Sequence, residues 1–251
     1  MGAGPGTAGA APADGPRVAL VTGASGTIGS AVARALADAG LRVAAGYHRD
    51  ADAARQLAKE LPGALAVPVD VTDPDAVRAA FRDVASAAGP VTVLVNAAGV
   101  LRDRPLLRMA DRDWEEVLSA NLTGPFRCVR QALPAMVAAG YGRIVSIGSA
   151  AAAYGTPGQA NYSAAKAGLL ALTRSVAREY GRHGVTANVV APGLVESPLI
   201  AGVGADSRAG FAERTATGGL VSAEDVARAV RFCVETPGLT GRSVDVDGGF
   251  G

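Results

Sequence analysis

From Arg17 onward the chain alternates short apolar runs with segments of helical spacing, and few folds accept that pattern. The apolar runs Arg17–Val21, Leu41–Gly46, Leu65–Val69, Val91–Val95, Arg143–Ile147, Val185–Val190 and Ser243–Val246 have the length of strands. Between them, Ser30–Ala39, Ala51–Glu60, Pro74–Ala88, Trp114–Val137, Asn161–Tyr180 and Ala223–Val234 have helical periodicity. Pro125 and Pro134 are expected to kink the long Trp114–Val137 helix or to mark its ends. Connections are short and no linker follows residue 16. The expected fold is therefore α/β: a single-domain, doubly wound parallel sheet of about seven strands, with helices on both faces. Ligands of such sheets bind beyond the carboxyl ends of the strands, so chemistry is sought in the turns that follow them.

Composition agrees and excludes several classes. Hydrophobic residues make up 49% but aromatics only 4%, so Val, Leu, Ile and Ala must build the core. That suits buried parallel strands. A formal net charge of +1 gives no field that would gather nucleic acid or a membrane surface. No run is long enough to span a bilayer. Cys128 and Cys233 form neither a disulfide framework nor a metal-ligand pair, and only His48 and His183 are available as histidine ligands. No metal site is expected, and a cytoplasmic location is. Residues 1–16 are rich in Gly, Ala and Pro, without the basic start of a secretion signal, and are expected to form a flexible tail.

The turn after the first strand, Thr22-Gly23-Ala24-Ser25-Gly26-Thr27-Ile28-Gly29, opens a helix. Glycines there let backbone approach a pyrophosphate, and the helix N-terminus supplies N–H donors. An ordinary glycine turn is the alternative. The second strand ends at Tyr47-His48-Arg49, where a site for the unphosphorylated dinucleotide normally has an acidic residue. His48 and Arg49 instead suit a 2′-phosphate, which favours NADPH over NADH; a solvated basic turn is the bland reading. Asp70 and Val71 end the third strand and suit an adenine edge, although Asp70 can equally serve as a turn or capping residue before Pro74. Asn96-Ala97-Ala98-Gly99 end the fourth with small residues that leave room beside the sheet.

Tyr162 and Lys166 share one face of a helical segment. A phenol ionises far above neutral pH, and a nearby ammonium favours its ionised form, so the pair can move a proton at a carbonyl. Spacing alone would also fit two surface side chains.

Taken together, the Thr22–Gly29 turn, Asp70-Val71, Asn96–Gly99, Asn121-Leu122-Thr123-Gly124, Ser149, Tyr162-x-x-x-Lys166 and Asn188-Val189-Val190-Ala191-Pro192-Gly193 resemble the short-chain dehydrogenase/reductase family in order and spacing. Within it the chain looks most like the 3-oxoacyl-[acyl-carrier-protein] reductases and polyketide ketoreductases. The resemblance implies a Rossmann-type fold and an NADPH-dependent oxidoreductase. In that enzyme Tyr162 protonates the forming alkoxide and Ser149 orients the carbonyl. Lys166 lowers the Tyr162 pKa and holds the nicotinamide ribose, while Asn121 anchors a water that links Lys166 to solvent. Pro192, Gly193, Val195 and Ser197 would lie against the nicotinamide. Residues around 199–220 would form a substrate lid. A homotetramer is implied too, packed through Trp114–Val137 and Asn161–Tyr180.

The chain departs from the family pattern in the first turn, where Thr-Gly-x-x-x-Gly-x-Gly is usual: Thr27 holds the middle Gly position and Gly26 comes one place early. Ala97 replaces a second Asn. The leading expectation is reduction of a 3-oxoacyl thioester, on a carrier protein or coenzyme A, in fatty-acid or polyketide biosynthesis. Arg102, Arg104, Arg108, Arg127, Arg130 and Arg143 are candidates for docking an acidic carrier. An alcohol, sugar or steroid dehydrogenase of the same family is the alternative, disfavoured by the missing acidic residue near Tyr47. A non-catalytic cofactor-binding sensor is disfavoured because Tyr162 and Lys166 are both present.

Overall fold

The computed structural model describes residues 16–197 and 210–250. Seven strands form one parallel sheet: β1 Val18–Thr22, β2 Arg42–Tyr47, β3 Leu65–Pro68, β4 Val91–Asn96, β5 Gly142–Ile147, β6 Val185–Pro192 and β7 Ser243–Val246. Their order is β3-β2-β1-β4-β5-β6-β7. The chain winds outward from β1 in one direction and from β4 in the other. The crevice beyond the carboxyl ends of these two strands is thus the switch point where such sheets bind ligands. The helices around the sheet include α1 Thr27–Asp38, α2 Ala51–Glu60, α3 Pro74–Ala88, α4 Asp111–Leu118, α5 Gly124–Ala138, α6 Ala151–Tyr154, α7 Ala160–Tyr180 and α8 Ala223–Glu235.

Successive strand residues point to opposite faces, and the core divides accordingly. Ala19 and Val21 of β1 meet Val32 and Leu36 of α1, Leu57 of α2 and Val226 and Val230 of α8. Val18 and Leu20 meet Val77, Phe81 and Val84 of α3, Cys128 and Met136 of α5 and Val176 of α7. Both cysteines are buried single thiols inside this packing.

The long helix expected over Trp114–Val137 is two helices. They are joined not by a proline kink but by a π turn, Ser119–Thr123. Pro125 sits in the first turn of α5, where its missing N–H has no partner to lose. Pro134 lies inside α5 without ending it. The wider π turn buries Asn121 completely.

Candidate active site

The first turn holds its shape through close backbone contacts. Gly23 has φ +68°, and a Cβ there would lie 2.8 Å from Cα of Ala98. A Cβ on Gly29 would lie 2.2 Å from the carbonyl oxygen of Gly23, so a side chain at either position displaces backbone. Gly26 is different: its Cβ would make an ordinary 3.4 Å contact. Thr27, the departure from the family pattern, is simply the first residue of α1, and no non-glycine described residue has positive φ. The first turn of α1 has no acidic side chain, which leaves its N–H groups, those of Thr27, Ile28 and Gly29, open to an anion. Ser25 lies on the same turn.

Thr22 joins this turn to the end of β4. Its hydroxyl accepts from the N–H groups of Ala97 (3.2 Å) and Ala98 (3.3 Å) and donates to the Val95 carbonyl. Asn96 is buried and donates to Ser146 on β5 at 3.1 Å. At the ends of β2 and β3, His48 and Asp70 face each other, with Nε2 and Oδ2 3.4 Å apart. The other Asp70 oxygen accepts from the N–H and hydroxyl of Thr72 at 2.8 and 2.7 Å. Partial burial opposes ionisation of Asp70, yet the Thr72 donors and the nearby His48 and Arg49 hold its pKa below the usual value. Asp70 is therefore a turn residue as well as a rim residue. Arg49 is exposed and makes no ion pair among the described residues. Val71 is buried against Gly124, and its carbonyl accepts from Arg127.

Across the crevice, Ser149 follows β5, and Tyr162 and Lys166 lie on α7. The Ser149 side chain approaches the Tyr162 phenol and favours its ionised form. The Lys166 ammonium lies 5.4 Å from the Tyr162 ring centroid and donates to the Ile147 carbonyl at 2.7 Å. Lys166 is fully enclosed, and burial pushes its pKa down to about 8. Burial pushes Tyr162 upward, against the effect of Ser149, and the Asp103 carboxylate adds to the rise. Here the ammonium is turned to the Ile147 carbonyl, and desolvation dominates the phenol. Asn121 donates to the Val100 and Val117 carbonyls at 2.8 and 3.0 Å, while its own Oδ1 is buried with no partner among the described residues. Gly99 separates Asn121 from Lys166: a Cβ there would lie 2.4 Å from that Oδ1 and 3.9 Å from the Lys166 Nζ.

Asn161 is a residue that sequence reading missed. Wholly buried, it donates to the carbonyls of Arg102 and Asp113, both at 3.1 Å, and accepts from the N–H of Tyr162 at 2.8 Å. It ties the segment after β4 to the start of α7, beside the tyrosine. Gln159 donates to Asp103 at 2.8 Å on the same seam.

Pro192 ends β6 and Gly193 follows it, donating to the Val246 carbonyl at 3.0 Å, and Val195 bridges Val221. Ser197 is half-buried at the edge of the described residues. Of the expected lid, residues 199–209 lie outside the described residues. Its second part is anchored by the C-terminus: Phe211 stacks on Phe250 at 4.5 Å, and Tyr154 meets Phe250 edge-on at 5.6 Å. Among the docking candidates, Arg102 is paired with Glu116 and Arg143 is buried at the opposite end of the sheet, which removes Arg143 from any docking role.

A family model described as short chain dehydrogenase matches residues 17–208. The 3-oxoacyl-[acyl-carrier-protein] reductase FabG of Escherichia coli strain K12 is 38% identical over 237 residues, covering 93% of this chain and 97% of the relative. The reductase of the same name from Staphylococcus aureus strain Mu50 is 36% identical over 238 residues, covering 92% and 97%. With a parallel sheet of this order and a match of this extent, the chain belongs to the short chain dehydrogenase family.

Proposed function

We propose that this oxidoreductase uses NADPH to reduce a 3-oxoacyl thioester to the 3-hydroxyacyl form, with the substrate held on an acyl carrier protein or coenzyme A. The observation that carries the reading is the convergence of Ser149, Tyr162 and Lys166 across the switch-point crevice from the Gly23–Gly29 turn. The relatives named above support the substrate class, since their names state it.

The residues present fit the cofactor. Glycines occupy the places where a Cβ would fill the cradle, and the N-terminus of α1 carries no competing carboxylate. Ser25–Gly29 would hold the pyrophosphate, Arg49 with His48 the 2′-phosphate, and Asp70 and Val71 the adenine. Asn96 to Gly99, Pro192, Gly193, Val195 and Ser197 would line the nicotinamide half. Bound NADPH supplies the hydride.

The protein supplies position and the proton. Ser149 donates to the ketone oxygen, which orients the carbonyl. Tyr162, kept protonated by burial, gives its phenolic proton to that oxygen as negative charge develops there. Lys166, shifted toward neutrality by burial, is poised to restore the phenol, and Asn121 would hold the water through which protons return. Residues 17–251 would act as one catalytic domain behind the 1–16 tail, with 199–220 covering the substrate. The pathway served would be fatty-acid or polyketide synthesis, in the cytoplasm. A homotetramer would cover the exposed Phe126 of α5.

The test is loss of NADPH absorbance on a 3-oxoacyl thioester, with NADH in parallel and Tyr162→Phe as the blank. Turnover with NADPH that disappears in the variant supports the reading. Absence of turnover despite measurable NADPH binding would sink the substrate assignment and leave the reductase chemistry to be tested on other ketones.

A further inference from the structure

Doubly wound topology sends the carboxyl ends of the helices to the amino ends of the strands, away from the reaction. There the structure has a cavity of about 890 Å³, within the range of small-molecule sites. Arg17, Arg143, Arg182 and His183 line it around the ring of Tyr141. The Arg17 guanidinium lies 3.6 Å from the Tyr141 ring centroid and that of Arg143 lies 4.2 Å from it. Glu235 also lines the cavity, but Arg231 already engages its carboxylate at 2.7 Å. None of Arg17, Arg143 and Arg182 makes an ion pair among the described residues.

Helix ends account for part of this charge. Arg143 donates to the carbonyls of Val234 at 3.1 Å, Gly142 at 2.8 Å and Gly184 at 3.1 Å through Nε and one terminal nitrogen. Its other terminal nitrogen has no protein partner among the described residues. The Nε of Arg17 and the hydroxyl of Thr186, a cavity-lining residue more than nine-tenths buried, also have no partner among the described residues. Burial and the neighbouring Arg17 both push the Arg143 pKa down. Like charges are thus gathered around one cavity, where an anion would relieve their repulsion.

We propose that this cavity is a second binding site, separate from the reductase site, for a compact organic anion bearing two or more carboxylate or phosphate groups. Arg17 and Arg182 grip it from the rim, where planar guanidinium groups can bind such oxygens in pairs. Arg143 forms the floor. A purely structural role for these arginines makes a different prediction, because it needs no ligand.

Calorimetric titration of the full chain with citrate, and separately with pyrophosphate, tests the proposal, with sodium chloride at matched ionic strength as control. Saturable binding of at least one anion is expected, weakened tenfold or more in Arg17→Gln and in Arg182→Gln. Reductase turnover should be unchanged in both variants. Preference between citrate and pyrophosphate identifies a carboxylate or a phosphate source. Arg143→Gln is not used alone, since its carbonyl partners sit in the core. Binding that survives intact in the Arg17→Gln/Arg182→Gln double variant places the anion elsewhere and overturns the proposal. So does a response no larger than that to sodium chloride, or loss of thermal stability in the variants with no anion effect.

Discussion

The Lys166 ammonium donates to the main-chain carbonyl of Ile147 at 2.7 Å from a fully enclosed position. Burial lowers its pKa from 10.5 to about 8, which corresponds to a penalty of about 3 kcal/mol for keeping it charged in the folded state. Between those pH values the unfolded chain binds more protons at this group, so its contribution to stability rises with pH. Wild type should therefore gain thermal stability relative to Lys166→Met as pH climbs from 8 to 10. Reductase activity of the variant should fall by a factor of ~10² or more. Parallel melting curves of the two proteins across that range would show that burial does not lower the Lys166 pKa.

Tyr162 faces the hydroxyl of Ser149, the carboxylate of Asp103 on the segment after β4, and Lys166 on its own helix. Burial and Asp103 raise its pKa, so the reductive rate should be flat near neutrality and fall only in the alkaline range. Asp103→Asn removes one charge that holds the proton on the phenol. The alkaline fall should then move to lower pH with the plateau rate kept, because Asn retains an acceptor for Gln159. A pH profile of the variant that overlays wild type would remove Asp103 from the account.

Local signals explain which parts of this architecture were legible. The bounds of Ala51–Glu60 and Pro74–Ala88 follow from Asp50 and Asp73, whose side chains cap the two helices, and from Pro74 in the first turn. The unbroken apolar run Val18–Val21 announces a strand buried on both faces. By contrast, the π turn at Ser119–Thr123 leaves no mark on the hydrophobic period, because one wide turn between two helices keeps the same face apolar. Asn161 was passed over since its partners are carbonyls 59 and 48 residues away, at Arg102 and Asp113. Thr22 acts across a similar distance on Ala97 and Ala98. Arg143 resembles any surface arginine until the sheet places it under the helix ends. In each case the missing information is tertiary: which strand ends meet, and what they enclose.

The Asn161 clamp has a measurable consequence. Asn161→Ala leaves two carbonyls and the N–H of Tyr162 without their partner, and each buried orphan costs about 1–3 kcal/mol. Asn161→Asp, although the same shape, should be no better than Ala, because it sets a carboxylate against those carbonyls. Both variants should lower the denaturant midpoint, and both should lower kcat more than they raise KM. A variant with normal kcat and only a lower midpoint would limit Asn161 to holding the fold.

Arg49 is the exposed cation at the end of β2, while His48 is engaged with Asp70. A hydrogen bond to a charged group contributes about 1.5–3 kcal/mol, so Arg49→Glu should weaken NADPH binding roughly tenfold to a hundredfold. NADH binding should change far less, and fluorescence titration with both cofactors reads the ratio directly. Equal loss for the two would mean that the 2′-phosphate is recognised elsewhere.

The glycine turn provides the sharpest pair of variants. A Cβ at Gly29 would lie 2.2 Å from the Gly23 carbonyl oxygen, whereas one at Gly26 would lie 3.4 Å from the same atom. Gly29→Ala must therefore push the turn away from α1, at a cost of about 1–3 kcal/mol. It should also weaken NADPH binding at least tenfold, because the donors of α1 are aimed by that turn. Gly26→Ala meets only van der Waals contact and should bind NADPH within about twofold of wild type, given that this φ is −87°. Thr27→Gly should likewise leave the affinity close to wild type, since Thr27 already begins the helix without a strained backbone. If Gly26→Ala and Gly29→Ala fail alike in both the melting curve and the titration, the turn must change shape on binding. The shifted glycine would then matter for the bound conformation even though it is idle in this one.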